Sequence, residues 1–224
     1  MTVLLVVFGT ILLYLGMTYV YRRFTYPLFL PIITTTTITV ILLSTLDISY
    51  ETYMSGAKWI DGMLGPAVVS MAYPLYIHRE KLLKHLPTLV MSVFVALLSG
   101  MISITILSKL FSFDQEILLS FLPKSITSPV AMPISESIGG LPTLTAVFVI
   151  LAGLIGALFG PILFRFGGIE SAISRGISMG SASHGIGLTK LTEYGEETLT
   201  MGTVGMTLSA IFGAFVSPLF ALLI

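Results

Sequence analysis

Long apolar runs constrain this chain more than any other feature. A helix needs about 20 apolar residues to cross the hydrocarbon core of a bilayer. A backbone placed there must satisfy its own N–H and C=O groups. Such runs cover 2–21, 27–46, 87–110, 141–166 and 198–224. Only 10% of the residues are charged, against about 25% in a soluble domain. Three further stretches are apolar but interrupted. Gly62, Gly65–Pro66 and Pro74 break 61–77; Pro123, Pro129 and Pro133 break 117–137; Gly185 and Gly187 punctuate 169–191. The expected architecture is an all-α integral membrane protein, a polytopic helical bundle with about eight membrane segments and several broken helices. It reads as a single transmembrane domain over 1–224, with an N-terminal two-helix part (1–60) followed by repeated broken-helix and long-span units (61–224). Residues 47–60 read as a polar connection, with Trp59 as an interfacial anchor.

The repeat is visible as short matches. LPT occurs at Leu86 and Leu141, VFV at Val93 and Val147, and GALFGP at Gly156 corresponds to GAFVSP at Gly213; AYPL at Ala72 corresponds to AMPI at Ala131. All offsets lie between 54 and 59 residues, and the repeat reads as parallel. Repeats and broken helices are what transporter folds are built from.

Charge and composition exclude several function classes. With 11 basic and 11 acidic side chains and no basic stripe, nucleic acid is not an expected partner. The absence of cysteine excludes disulfides, thiolate metal sites and cysteine nucleophiles. Histidines at 78, 85 and 184 make no metal-binding spacing, so no metal and no cofactor is expected. There is no GxSxG elbow, and Ser183 and His184 are neighbours, which is poor triad geometry. An enzyme is not expected. The N-terminal run lacks the basic n-region and cleavage site of a signal peptide and reads as a retained first helix. Lys and Arg favour the cytoplasmic side. Arg22–Arg23 and the HREKLLKH stretch at 78–85 fall on one side if all eight segments cross, which places both in the cytoplasm and the N-terminus outside.

Two segments carry candidate chemistry. The first, PKSITSPVAMPISE at 123–136, puts Lys124 beside Ser125, Thr127 and Ser128 in a proline-broken segment. A lysine within a bilayer must snorkel, pair or meet an anion. A helix broken at Pro129 would free N–H groups and a positive helix end for a carboxylate or phosphate; Lys124 snorkelling at an interface is the competing reading. The second, SMGSASHGIGLTK at 178–190, offers Ser181, Ser183 and His184 among glycines. Gly185 and Gly187 would let this helix open, as Gly65 and Pro66 would open 61–77. A histidine titrates at about pH 6.5, so His184 is a proton-coupling candidate, with Glu136 as a second. The competing reading of 178–190 is a small-residue helix contact with a hydrogen-bonded histidine.

The run PKSITSPVAMPISESIGGLPTLTAVFVILAGLIGALFGP, followed by SRGISMGSASHGIGLTK and preceded by GPAVVSMAYPLY, resembles the LrgB/CidB family. The resemblance covers most of the chain and is weakest in the first two apolar runs. It implies a multi-pass protein of the bacterial plasma membrane, described in its family as antiholin-like or holin-associated and linked to murein hydrolase activity and cell lysis. The plastid relative implied by the same resemblance is a glycolate/glycerate carrier, and bacterial pairs are linked to pyruvate. A small LrgA/CidA-type membrane protein is the implied partner. Lys124, Ser125, Thr127, Ser128, Ser183 and His184 match the family's polar motifs. The expected function is transport of a small carboxylate such as pyruvate or glycolate, by a homo-oligomer in the lipid bilayer. A holin-like or antiholin-like pore or lysis regulator is the alternative.

Overall fold

A computed structural model describes residues 2–24, 26, 29–70 and 72–224. The chain forms two compact units, 1–67 and 68–224. In the first, α1 (Thr2–Arg23) is apolar throughout and ends on Arg22 and Arg23, cations suited to a helix C-terminus. Helix α2 (Pro31–Thr45) opens on Pro31, whose missing N–H costs nothing in a first turn; the expected opening at Pro27 lies outside the described residues. The stretch expected as a polar connection contains a helix, α3 (Tyr50–Asp61). Ser49 caps it, accepting the Thr52 N–H at 3.2 Å. Gly56 lets α3 lie against α1, where an added Cβ would be 2.7 Å from Val6 Cβ. Trp59 is exposed, as an interfacial anchor requires.

Helix α4 (Leu64–Ser70) spans the join between the units. In the second unit follow α5 (Ala72–Ile77), α6 (Arg79–Lys84), α7 (Leu86–Leu110), α8 (Gln115–Phe121), α9 (Ser128–Ile138), α10 (Pro142–Phe166), α11 (Ala172–Leu191), a 3-10 turn (Thr192–Tyr194) and α12 (Glu196–Ala221). Pro87 and Pro142 sit in the first turns of α7 and α10. On α7 the residues Leu89, Val93, Leu97 and Met101 recur every four positions and are buried, while Phe94, Ile102 and Ile106 are exposed. In a chain of mean hydropathy +1.00, such apolar outward faces are lipid-facing surface.

Among the described residues four helices, α1, α7, α10 and α12, are long and apolar enough to cross a membrane, against about eight expected segments. Two of the missing crossings have a geometric explanation. The segment from α8 to α9 turns back on itself. Ser120 Oγ accepts the Leu141 N–H at 2.7 Å, and the Thr145 hydroxyl lies 2.9 Å from the Ser120 carbonyl. Five residues of helix separate Gln115 from Ser120, a rise of about 7.5 Å. The start and end of this segment therefore lie on one side, since a crossing needs about 30 Å. Helix α11 reverses in the same way. The Arg175 guanidinium stacks over the Tyr194 ring at 5.0 Å, and Phe164 meets that ring at 5.8 Å. In a straight helix, residues 175 and 194 would be about 28 Å apart. The reversal is at His184, at φ 40° and ψ −140°. It folds the 185–191 arm back so far that a Cβ on Gly187 would be 2.8 Å from Met179 Cγ.

Among its described residues the second unit thus has three long candidate spans, α7, α10 and α12, joined by two hairpins that each begin and end on one side. Thr88, at the start of α7, and Gly168, just past the end of α10, line the same cavity, so α7 and α10 run in opposite directions. The repeat is therefore inverted, where its sequence reads as parallel. LPT opens α7 on one side and α10 on the other, each span is 25 residues long, and each is followed by a hairpin. A hairpin mistaken for a crossing reverses the direction of everything after it.

This topology also sorts the basic charges. The 78–85 stretch, Arg165, Arg175 and Lys190 fall on the side where α7 begins, and Lys109 falls on the other, near Asp114 and Glu116. If every segment crossed, Arg165 and Arg175 would lie opposite the 78–85 cluster.

Candidate functional site

The first hairpin tip is the break between α8 and α9. Pro123 and Pro129 bracket it, and the chain closes turns through Lys124 N–H to Phe121 O at 3.1 Å and Ile126 N–H to Pro123 O at 2.9 Å. Leu122, Pro123 and Ile126 are buried. Ile126 is seated where α12 has Gly213, whose Cβ would be 2.8 Å from Ile126 Cγ1. That anchor turns Lys124 and Ser125 toward α7, where both side chains lie beside Gly100. Lys124 Nζ donates to Ser125 Oγ at 3.4 Å. Among the described residues no carboxylate pairs with Lys124. The N–H groups of Ser125, Thr127 and Ser128 have no protein acceptor among those residues. Thr127 is the extended N-cap residue of α9 and makes no side-chain capping bond. A half-buried ammonium beside the Ser125 hydroxyl thus lies within four residues of the free amides that open an 11-residue helix, donors of a kind suited to a carboxylate.

The second tip is His184. It is 4% exposed, and its Nε2 lies 2.8 Å from the Val149 carbonyl. A carbonyl only accepts, so Nε2 carries the proton. The imidazole fits because α10 has Gly153 there; a Cβ at that position would be 2.7 Å from His184 Cε1. Lys124 acts on His184 through space, although 60 residues separate the two in sequence.

The other expected residues divide. Ser181 is buried and donates to the Ile177 carbonyl of its own helix at 2.6 Å. Ser183 is buried with its hydroxyl against Gly156. Both serines are engaged in packing. Glu136 is exposed in the last turn of α9 and does not join the tips. Of the expected helix breaks, Pro129 lies just past one, and Gly185 follows the reversal at His184. Gly187 instead provides close packing within the hairpin. Gly65 and Pro66 lie in the first turn of α4, and the break they were expected to make falls earlier, at Gly62–Met63, where α3 has ended. Among the described residues no group of three His, Asp or Glu is placed to hold a metal.

Three groups of residues were missed in the sequence. Ser120, Ser135 and Thr145, all 0% exposed, bind the first hairpin to α10: Thr145 Oγ1 is 2.7 Å from Ser135 Oγ and 3.0 Å from the Leu141 carbonyl. Isolated hydroxyls in apolar helices give no sequence signal. Gly100 lies beside Lys124, and Gly153 makes room for His184. Thr88 and Ser92 on α7 line a cavity of about 850 Å³; the repeated LPT was the available signal for Thr88.

The model of the LrgB-like family matches residues 10–223. The uncharacterized protein YxaC of Bacillus subtilis is 44% identical over 216 residues, covering 96% of this chain and 94% of that protein. Holin-like protein CidB of Staphylococcus epidermidis is 33% identical over 219 residues, covering 98% and 96%, and that of Staphylococcus aureus is 33% identical over 220 residues with the same coverage. No solved structure gives a significant match.

Proposed function

The chain belongs to the LrgB-like family, and from that premise we propose that it carries small carboxylates, such as pyruvate or glycolate, across the bacterial plasma membrane. One observation supports this reading above others: Lys124 is without a carboxylate partner among the described residues, at the tip of a re-entrant hairpin and beside the free N–H groups that open α9. An ammonium in that place needs an anion, and two opposed broken helices are the usual construction around a carried solute. Lys124 supplies charge, Ser125, Thr127, Ser128 and the amides supply direction, and His184 is the proton-coupling candidate. A small LrgA/CidA-type subunit and further copies of the chain are the proposed partners.

The name of the 33%-identical relatives, holin-like, supports a second reading, a pore or lysis regulator. Purified protein in liposomes separates the two. A carrier gives saturable counterflow of labelled pyruvate, blocked by excess unlabelled carboxylate, and retains a dye of roughly several hundred daltons, well above metabolite size. Lys124→Met should abolish uptake with folding intact, and Lys124→Arg should keep part of it, the two cations differing in shape and hydration. Release of the dye, without competition between carboxylates, would establish the pore instead.

A further inference from the structure

The two seams between long spans and hairpins differ. Where α10 meets the first hairpin, the seam is closed. Ser120, Ser135 and Thr145 bond across it, and Phe121 stacks on Phe148 with ring centroids 3.4 Å apart. Where α7 meets the first arm of α11, its counterpart in the inverted repeat, the seam holds the cavity of about 850 Å³. Its lining includes Thr88 and Ser92 from α7 and Ser174, Ser178 and Ser181 from α11.

The hydroxyls of α7 are not used alike. Ser99, Ser103 and Thr105 turn back onto carbonyls of their own helix, as hydroxyls in apolar helices do. Those of Thr88 and Ser92, on the cavity, have no protein partner among the described residues. Thr88, Ser92, Ala96 and Gly100 follow one another at four-residue spacing, so they share one face of α7. The first three line the cavity, and the last lies beside Lys124 and Ser125. The cavity therefore points along α7 toward the ammonium. Glu170 is at its outer end, beyond α10, so the mouth does not concentrate anions; the attraction comes from Lys124 at the inner end.

We propose that the cavity between α7 and α11 is the water-filled path by which the carried anion reaches Lys124, open only on the side of the 78–85 cluster. This rests on the carrier reading. Polar groups free at membrane depth are tolerated where they line a watery space, and the bonded Ser120–Thr145 seam accounts for closure on the far side.

The chain has no cysteine, which makes single-cysteine labelling direct. Ser92→Cys places a thiol in the cavity; Ile102→Cys places one on the exposed apolar face of α7. Each variant, in liposomes of known orientation, is treated with a membrane-impermeant anionic thiosulfonate from one side at a time. The expected result is that S92C reacts at least about tenfold faster than I102C, the difference that water exposure of a thiolate makes. It should do so from the 78–85 side alone, be slowed by excess pyruvate, and lose uptake once labelled. If S92C reacts no faster than I102C while the unlabelled variant still takes up pyruvate, lipid or a helix of another copy fills the seam. The path is then overturned and carriage stands. Rapid labelling that leaves uptake unchanged overturns it too, since the water is then off the route. Loss of saturable uptake in wild-type protein is the separate failure that removes the carrier reading itself.

Discussion

Gly176 is a position where one methyl group should do clear damage. Helices α11 and α12 touch backbone to backbone there. A Cβ on Gly176 would lie 2.6 Å from the Thr198 carbonyl oxygen, 2.8 Å from the Gly202 nitrogen and 2.5 Å from Met201 Cβ. An ordinary contact begins at 3.4 Å, so α12 would have to retreat by about 0.8 Å from Thr198 alone. Two of the three neighbours are main chain, which no rotamer change can move. Overpacking of this kind costs about 1–3 kcal/mol, and a backbone obstacle belongs at the upper end. Alanine returns about 0.5–1 kcal/mol of helix propensity. Gly176→Ala should therefore lose about 2 kcal/mol net, a fall in Tm of roughly 4–8 °C. The measurement is thermal unfolding in detergent by tryptophan-independent circular dichroism. Gly16→Ala is the control, because nothing lies within 4 Å of its Cβ; it should match or exceed the wild type. Equal Tm values for Gly176→Ala and wild type would refute the close helix contact and the geometry of the second hairpin with it.

Three further outcomes are expected. Thr145→Val keeps the side-chain shape but strips the seam of its hydroxyl, leaving buried polar groups unpaired at a cost of about 1–3 kcal/mol; Thr145→Ser should recover most of the lost Tm. His184→Gln can still donate to the Val149 carbonyl but does not titrate between about pH 5.5 and 7.5, so a flattened pH profile of uptake with unchanged folding marks a proton-carrying role, whereas an unaltered profile leaves His184 the structural pivot of its hairpin. A cysteine introduced at Lys81 should resist an impermeant thiol reagent in intact cells, and rapid labelling there would invert the orientation.

The long spans were legible because apolar runs of full length are a composition signal. The expected fourth, sixth and last segments correspond to α7, α10 and α12 within a few residues. The breaks were legible too, since Pro123 and Pro129 weaken any continuous helix there and a polar, glycine-rich stretch around His184 is unlike an ordinary membrane helix. What the breaks do was not. A proline-broken segment of about 20 residues looks the same whether it crosses or turns back. The distinction rests on contacts such as Ser120 with Leu141 and Arg175 with Tyr194, which join residues 21 and 19 apart in sequence. The reversal at His184 was hidden for another reason: glycines stood on either side, yet the positive φ falls on the histidine. Lys124 stood out by its charge. The socket that receives His184, Gly153, did not, because a glycine in a membrane helix is common and only its neighbours show its use.

The bed of the second hairpin has a bearing on biogenesis. The 172–191 stretch carries four serines, a histidine, an arginine and a lysine, too polar a set to enter lipid unaided. Its first arm rests on glycines of α12, which leaves the ribosome after it. During synthesis this stretch must wait at the membrane surface, beside a completed α10, until the last helix arrives to shelter it. Assembly of the helices around the second hairpin is then the work of the 26-residue α12. A chain cut short before residue 196 would keep its long N-terminal spans in the bilayer while leaving the histidine hairpin with nothing to fold against.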